Sequence, residues 1–244
     1  MQTINCCEMP EIATKKIARP LQKKKEEKTI VTICATIMKT ILFAFSGKIG
    51  SGKTTSAAQL ENVLKAQYGD AIYVQHINFA DRLKELSAHI FRFDVQLCYT
   101  SHGKQQFIEA ANMTVGEILQ ALGNSFRNTF GVDFWLDELK KTIDERAKQL
   151  PSTVHACVFL IGDVRYPNEA DFVRANNGIL VRLEGDPGGV CAASNRNLQH
   201  ESETALDQYA NFDFTIYTEC VPVNMSAAIC CEYLQKKRLN AIFE

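Results

Sequence analysis

The chain has 244 residues, 46% of them hydrophobic, with 27 basic and 28 acidic side chains and a formal net charge of −1. That length and apolar content allow one large α/β core with an inserted lobe and demand no second independent domain. The near-zero charge excludes a whole-protein field favouring nucleic acid or an anionic membrane, so a polyanion site has to be local, and no apolar run approaches the ~20 residues of a membrane span.

Residues 1–37 carry the basic cluster Lys23-Lys24-Lys25, show no sustained periodicity and lack the long apolar core of a secretory signal. They read as a disordered extension, or as a stretch upstream of the true start, ahead of a domain spanning 38–244. The apolar run 40–45 then predicts a strand. It leads into Gly47-Lys48-Ile49-Gly50-Ser51-Gly52-Lys53-Thr54, which has the spacing G-x-x-x-x-G-K-[ST]. Glycines at Gly47, Gly50 and Gly52 let successive backbone N–H groups converge on phosphate oxygens at a helix N-terminus. Lys53 is placed to reach the β- and γ-phosphates of ATP, and Thr54 to put its hydroxyl on Mg²⁺, with Lys48, Ser51 and Thr55 completing the nucleotide-binding set. Residues 55–67 carry apolar side chains at helical spacing, as the motif requires.

Short apolar runs at 73–77, 154–161, 178–183 and 212–217 read as further strands, and 81–91, 114–126, 133–150, 168–175 and 224–237 as helices. This alternation predicts an α/β fold, a P-loop NTPase-like parallel sheet flanked by helices. Residues 78–150 are far longer than a strand-to-strand crossover needs and are expected to form a helical acceptor-binding insertion. Arg82 and Lys84 follow a strand's C-terminal end, where ligands of open α/β sheets gather. Arg127 offers a planar fork to phosphate, and Trp135 an aromatic face to a base, against the blander alternative that both belong to core-packing helices. Thr114-Val115-Gly116-Glu117 is a capping box.

The strand ending near residue 161 runs into Gly162-Asp163-Val164-Arg165-Tyr166-Pro167-Asn168-Glu169. Asp163 is the candidate carboxylate for the Mg²⁺ shell, Arg165 the candidate cation for transferred or acceptor phosphate, and Asn168 the expected helix cap. The Gly-rich stretch that opens 185–203 reads as a lid, with Arg196 as its closing cation. Nine cysteines, an odd number with no C-x-x-C pair, disfavour both a zinc site and a secreted disulfide framework and fit reduced packing thiols in a cytoplasmic protein.

In order, the blocks FSGKIGSGKT (45–54), FADRLKE (79–85), TVGEILQALGNSFRNTFGVDFW (114–135), IGDVRYPNEAD (161–171), ESETALD (201–207) and DFTIY (213–217) resemble the viral-type deoxynucleoside monophosphate kinases. The resemblance runs from Met38 to about Lys237. It implies transfer of the ATP γ-phosphoryl to a deoxynucleoside monophosphate, with Mg²⁺ required. Lys53 and Thr54 then match the family's ATP-phosphate and metal contacts, and Arg82, Lys84, Arg127 and Arg165 fall in its acceptor-side segments. Two positions depart from the family pattern: Thr54 stands where aspartate is common, and Arg82 where proline is usual. A phosphomevalonate kinase is similar in the phosphate loop and the ESE block and is the nearest alternative. A P-loop protein that binds ATP without an acceptor is another. Base preference, deoxyribose preference and dimerisation are left open, and no nucleic-acid or membrane partner is expected.

Overall fold

Alternation along the first strand shows how the chain buries both faces of its sheet. In β1 (Lys39–Ser46), Ile41, Phe43 and Phe45 enter one buried cluster while Leu42 and Ala44 enter another. Successive strand side chains point to opposite faces, so a strand apolar at every position needs cover on both sides. The computed structural model describes residues 38–189 and 199–243; the expected extension 1–37 and residues 190–198 of the expected lid, including Arg196, lie outside the described residues.

After β1 come α1 (Lys53–Tyr68), β2 (Ile72–Ile77) and α2 (Asp81–Phe91). The chain between α2 and the next long helix holds α3 (Ser101–Lys104) and a small antiparallel pair, β3 (Phe107–Ile108) with β4 (Met113–Thr114). Next are α4 (Val115–Phe130), α5 (Phe134–Gln149), β5 (Ala156–Val164), α6 (Pro167–Ala175), β6 (Ile179–Glu184), α7 (Glu201–Thr204), β7 (Phe214–Tyr217), α8 (Val223–Leu234) and α9 (Asn240–Phe243). Five parallel strands form the main sheet in the order β2-β5-β1-β6-β7, with helices packed on it. This is the expected α/β architecture.

The order places β1 at the centre, between β5 and β6. The chain crosses from β5 over β1 to β6, so loops leaving the strands' C-terminal ends diverge around the segment that follows β1, the crevice where such sheets bind ligands. The glycine-rich loop emerges there. One face of the sheet is closed by α1 and α8 through Leu60, Leu64, Cys230 and Leu234, the other by α5 and α6 through Leu139, Ile143, Ala170 and Val173. Cys98, Cys157, Cys230 and Cys231 are buried free thiols, and burial pushes the Cys157 and Cys230 thiols up to about 12. They pack as small apolar groups.

Two local details differ from the sequence expectation. The strand expected to end at residue 161 continues as β5 to Val164, with a register shift against β1: Ala44 pairs with Ile161, whereas Ser46 pairs with Val164. The extra residue, a bulge, re-aims the segment that carries Asp163. Helix α6 is opened by Glu169, not by Asn168, because the Glu169 carboxylate accepts the N–H groups of Arg165 (2.8 Å) and Tyr166 (3.2 Å) while the Asn168 amide reaches Asp133 at 2.8 Å. The capping box at Thr114 and Glu117 forms as its spacing predicts.

Candidate active site

The glycine-rich loop folds into a nest closed by its own lysine. Lys53 Nζ donates to the carbonyls of Gly47 and Lys48 at 2.7 Å each and to Ser51 Oγ at 3.3 Å. Gly52 is left-handed (φ 86°) at the residue before α1, and a Cβ on Gly47 would collide with the Leu183 carbonyl and Ser51 Oγ, so both positions require glycine. Burial pushes Lys53 down to about 7, helped by the nearby charges of Arg165 and Arg182, against the opposing pull of Glu203. Thr54 and Thr55 stay exposed on the first turn of α1. Lys48 lies half-exposed and pairs with Asp207 at 2.9 Å.

The β5–α6 turn supplies the opposite wall. Arg165 Nη1 donates to Glu203 Oε1 at 2.5 Å and to the Ser202 carbonyl at 3.1 Å, and the other oxygen of Glu203 accepts the Ile49 N–H of the loop at 3.0 Å. Arg165 is thereby brought to the glycine-rich loop from a strand end more than a hundred residues away in sequence. Burial alone would raise the Glu203 carboxyl, but the Arg165 guanidinium, the Ile49 N–H and Lys53 together hold it below the usual carboxylate range. Glu169, buried beside Asp163, is pushed up to about 7 by burial and then by that neighbouring carboxylate. It binds Arg127 of α4 at 3.0 Å, and the Arg127 guanidinium carbon lies 4.0 Å from the centre of the Tyr166 ring. Arg127 and Arg165 therefore meet at one turn, through Glu169.

Asp163 turns toward the β2–α2 junction, where its two oxygens accept the Phe79 and Ala80 N–H groups at 3.0 Å each. Burial raises its carboxyl, and the charge of Lys84 works the other way. Lys84 binds Asp81 at 2.9 Å and lies 4.4 Å from the centre of the Tyr99 ring. Asn78 completes this junction by accepting the Gly162 N–H at 3.0 Å. The oxygen chemistry fits Mg²⁺: Thr54 offers an exposed hydroxyl, and a carboxylate with one N–H on each oxygen keeps further lone pairs. Among the described residues there is no cluster of three or more His, Cys, Asp or Glu suited to hold a metal without such help.

Two expected substrate contacts are not brought to this place. Trp135 is 3% exposed, donates its indole N–H to the Gly123 carbonyl at 3.2 Å and packs on Phe126 and Phe134, so its face is core. Arg82 pairs with Glu85 one turn along α2 and lines, with Glu138 and Glu145, a cavity of about 340 Å³ that no glycine-loop residue lines. Conversely, the sequence reading missed Glu169, Arg182, Glu203 and Asp207. Arg182 is buried on β6 and donates to Ser46 Oγ at 3.2 Å, just ahead of the loop. Its signal was a charge inside the apolar strand Ile-Leu-Val-Arg-Leu-Glu, whereas the two α7-side acids carry no local signal of partners that lie more than 150 residues back. Arg196 lies outside the described residues.

No family model matches the chain. A protein of Acanthamoeba polyphaga mimivirus named "Putative deoxynucleotide monophosphate kinase" is 27% identical over 184 residues, covering 72% of this chain and 87% of that protein. Among solved structures, shikimate kinase from Bacteroides thetaiotaomicron aligns over 80% of this chain and 96% of its own, with a TM-score of 0.37 and 13% identity. Shikimate kinase from Acinetobacter baumannii, in complex with shikimate, aligns over 83% and 94%, with a TM-score of 0.32 and 14% identity.

Proposed function

We propose that this chain is a kinase that transfers the γ-phosphoryl group of ATP to a deoxynucleoside monophosphate. The observation that carries the reading is the approach of Arg165 to the glycine-rich loop: a guanidinium fixed on a separate strand end stands across from Lys53, and Arg127 joins the same turn through Glu169. Phosphoryl transfer needs positioning and charge neutralisation more than covalent chemistry, and bringing two polyanions together is its main electrostatic cost. The name borne by the mimiviral relative supports the choice of acceptor.

In this reading the loop N–H groups hold the donor phosphates, and Lys53 exchanges the Gly47 and Lys48 carbonyls for phosphate oxygens. Arg165 spreads charge on the group in transfer. Arg127 and Lys84 face the acceptor phosphate, the former resting over the Tyr166 ring, while Asp163 orders the turn that presents α2. Thr54 and Asp163 are the residues that would hold Mg²⁺, which when bound neutralises charge on the donor phosphate oxygens. Residues 78–150 serve as the acceptor-binding insertion and 185–203 as the lid.

A coupled assay of ADP release over the four deoxynucleoside monophosphates, AMP and mevalonate phosphate tests this directly. Turnover with at least one deoxynucleoside monophosphate, well above its rate with mevalonate phosphate, is expected. Preference for the apolar phosphate would replace the nucleotide acceptor, and ATP hydrolysis indifferent to every acceptor would end the kinase reading.

A further inference from the structure

Residues 199–207 set one acid against each side of the glycine-rich loop. Glu203 accepts the Ile49 N–H at 3.0 Å and the Arg165 guanidinium at 2.5 Å, with its side chain only 4% exposed. Four residues later, in the turn after α7, Asp207 accepts Lys48 Nζ at 2.9 Å and lies 3.5 Å from Arg182 Nη2. Every cation or donor named here sits where a phosphate chain would need it. Ile49 is the third residue of the loop, and its N–H belongs to the nest. Lys53, Arg165 and Arg182 stand close enough that the charges of the two arginines lower the lysine's proton affinity.

We propose that Glu203 is an internal occupant of the donor-phosphate site, a carboxylate that takes the Ile49 N–H and Arg165 in the empty protein and is displaced, with the segment carrying it, when a triphosphate binds. The inference rests on the assignment of this loop to ATP above and deepens it. Two anions do not share one set of donors: a phosphate oxygen arriving at Ile49 and Arg165 meets a buried like charge. A phosphate that takes Arg165 and the Ile49 N–H removes two of the groups that hold the buried Glu203 carboxylate, which favours its moving away from the loop. Without the carboxylate, Arg165 would lose its acid partner and Lys53 one of the charges that offset its neighbours. Glu203 thus stabilises the unliganded arrangement and lowers apparent affinity for the ligand by the fraction of time it occupies the site. Movement of Glu203 would carry Ser202, whose carbonyl also binds Arg165, and so couples filling of the loop to a rearrangement of α7.

The test is calorimetric titration of the full chain with magnesium-free inorganic tripolyphosphate, in wild type, Glu203→Gln, Glu203→Asp and Lys53→Ala. Glu203→Gln is expected to bind about tenfold more tightly than wild type, because the competing charge is gone. Glu203→Asp keeps the charge on a stem too short to span Ile49 and Arg165, and is expected to fall between them. In wild type, tripolyphosphate should also shift the Ile49 amide resonance. Wild-type binding that is lost in Lys53→Ala, but unchanged or weakened in Glu203→Gln, overturns the inference while leaving the loop's assignment intact. If Glu203→Gln fails to fold, Glu203→Asp decides by the same sign. Absence of binding to folded wild type would remove the loop's assignment and the inference together.

Discussion

Charged side chains behave differently on the outer helices and around the glycine-rich loop. On α2 and α5 the pairs Arg82–Glu85, Lys140–Asp137 and Lys141–Glu138 lie three residues apart within one helix and stay largely in solvent, whereas Lys84–Asp81 has the same spacing but a largely buried lysine beside Asp163. Around the loop they pair across the fold: Arg127 with Glu169, Arg165 with Glu203, Asp163 with the Phe79 and Ala80 N–H groups. Exposed local pairs contribute little, because water already solvates both partners. A buried charge, in contrast, demands a partner wherever the fold can bring one, and removing that partner is costly. Burial of a charge beside charges from other elements therefore marks, better than charge alone, where this fold has committed polar groups to a shared site.

The sharpest way to break the contrast is Lys53→Ala. Turnover should fall by about 10³-fold or more, since the residue loses its charge at the point where negative charge gathers. Circular dichroism and the melting curve should show a folded protein, and Lys141→Ala should leave turnover within about twofold. Equal losses in the two variants would dissolve the distinction. Next in size is Glu169→Ala, which removes the acceptor shared by Arg127 and the Arg165 and Tyr166 N–H groups. A stability loss of about 3–5 kcal/mol in urea unfolding is expected. Glu169→Gln should cost less, because the side chain, pushed up to about 7, is already partly protonated at neutral pH.

The same contrast explains what could be read beforehand. The parallel sheet and the loop were legible because their signals are local: apolar strands of period and length fit for burial on both faces, and glycines at fixed spacing before a helix. Arg165 and Arg127 were legible as candidates only because they follow a strand end or carry a phosphate-binding head group. Glu203 and Asp207 were not, since nothing near them in sequence shows that their partners lie more than 150 residues back in the loop. Trp135 was placed in the site for its aromatic type and Arg82 for following a strand end, and tertiary context decided otherwise: α4 supplied a carbonyl and a ring for the indole, and Glu85 supplied a neighbour for the guanidinium. The segment between α2 and α4 was also opaque, because its two-residue strands and short turns carry no periodicity.

A finer division within the site comes from pH. Lys53 is pushed down from 10.5 to about 7, chiefly by burial. A lysine whose folded value is lowered disfavours folding wherever the unfolded chain would protonate it, so this group's contribution to stability falls as pH drops from 10.5 toward 7 and is constant below. Phosphate reverses the balance by favouring the charged form, so binding takes up a proton above pH 7. Tripolyphosphate affinity should be flat below about pH 7 and weaken above it by up to about tenfold per unit, with proton uptake visible as a buffer-dependent heat. Lys53→Arg, which stays charged, should lose that slope. A wild-type profile flat from pH 6 to 9 would show that the nest does not lower the lysine's proton affinity.

Arg82→Ala should have the smallest effect, and it separates position along the chain from placement in the fold. The guanidinium is exposed, its partner is one turn away in α2, and the cavity it lines is shared with Glu85, Glu138 and Glu145. Those three acids would repel an acceptor phosphate, whereas Lys84, two residues on, sits beside Asp163 and the Tyr99 ring. Arg82→Ala is expected to change acceptor KM and turnover by less than about twofold and stability by no more than about 0.5 kcal/mol. Lys84→Ala, measured alongside, should raise acceptor KM about tenfold, the order expected for losing one charge-assisted phosphate contact. If the two effects were reversed, the acceptor would lie on the outer face of α2, and the contrast between exposed and buried charges would no longer locate the site.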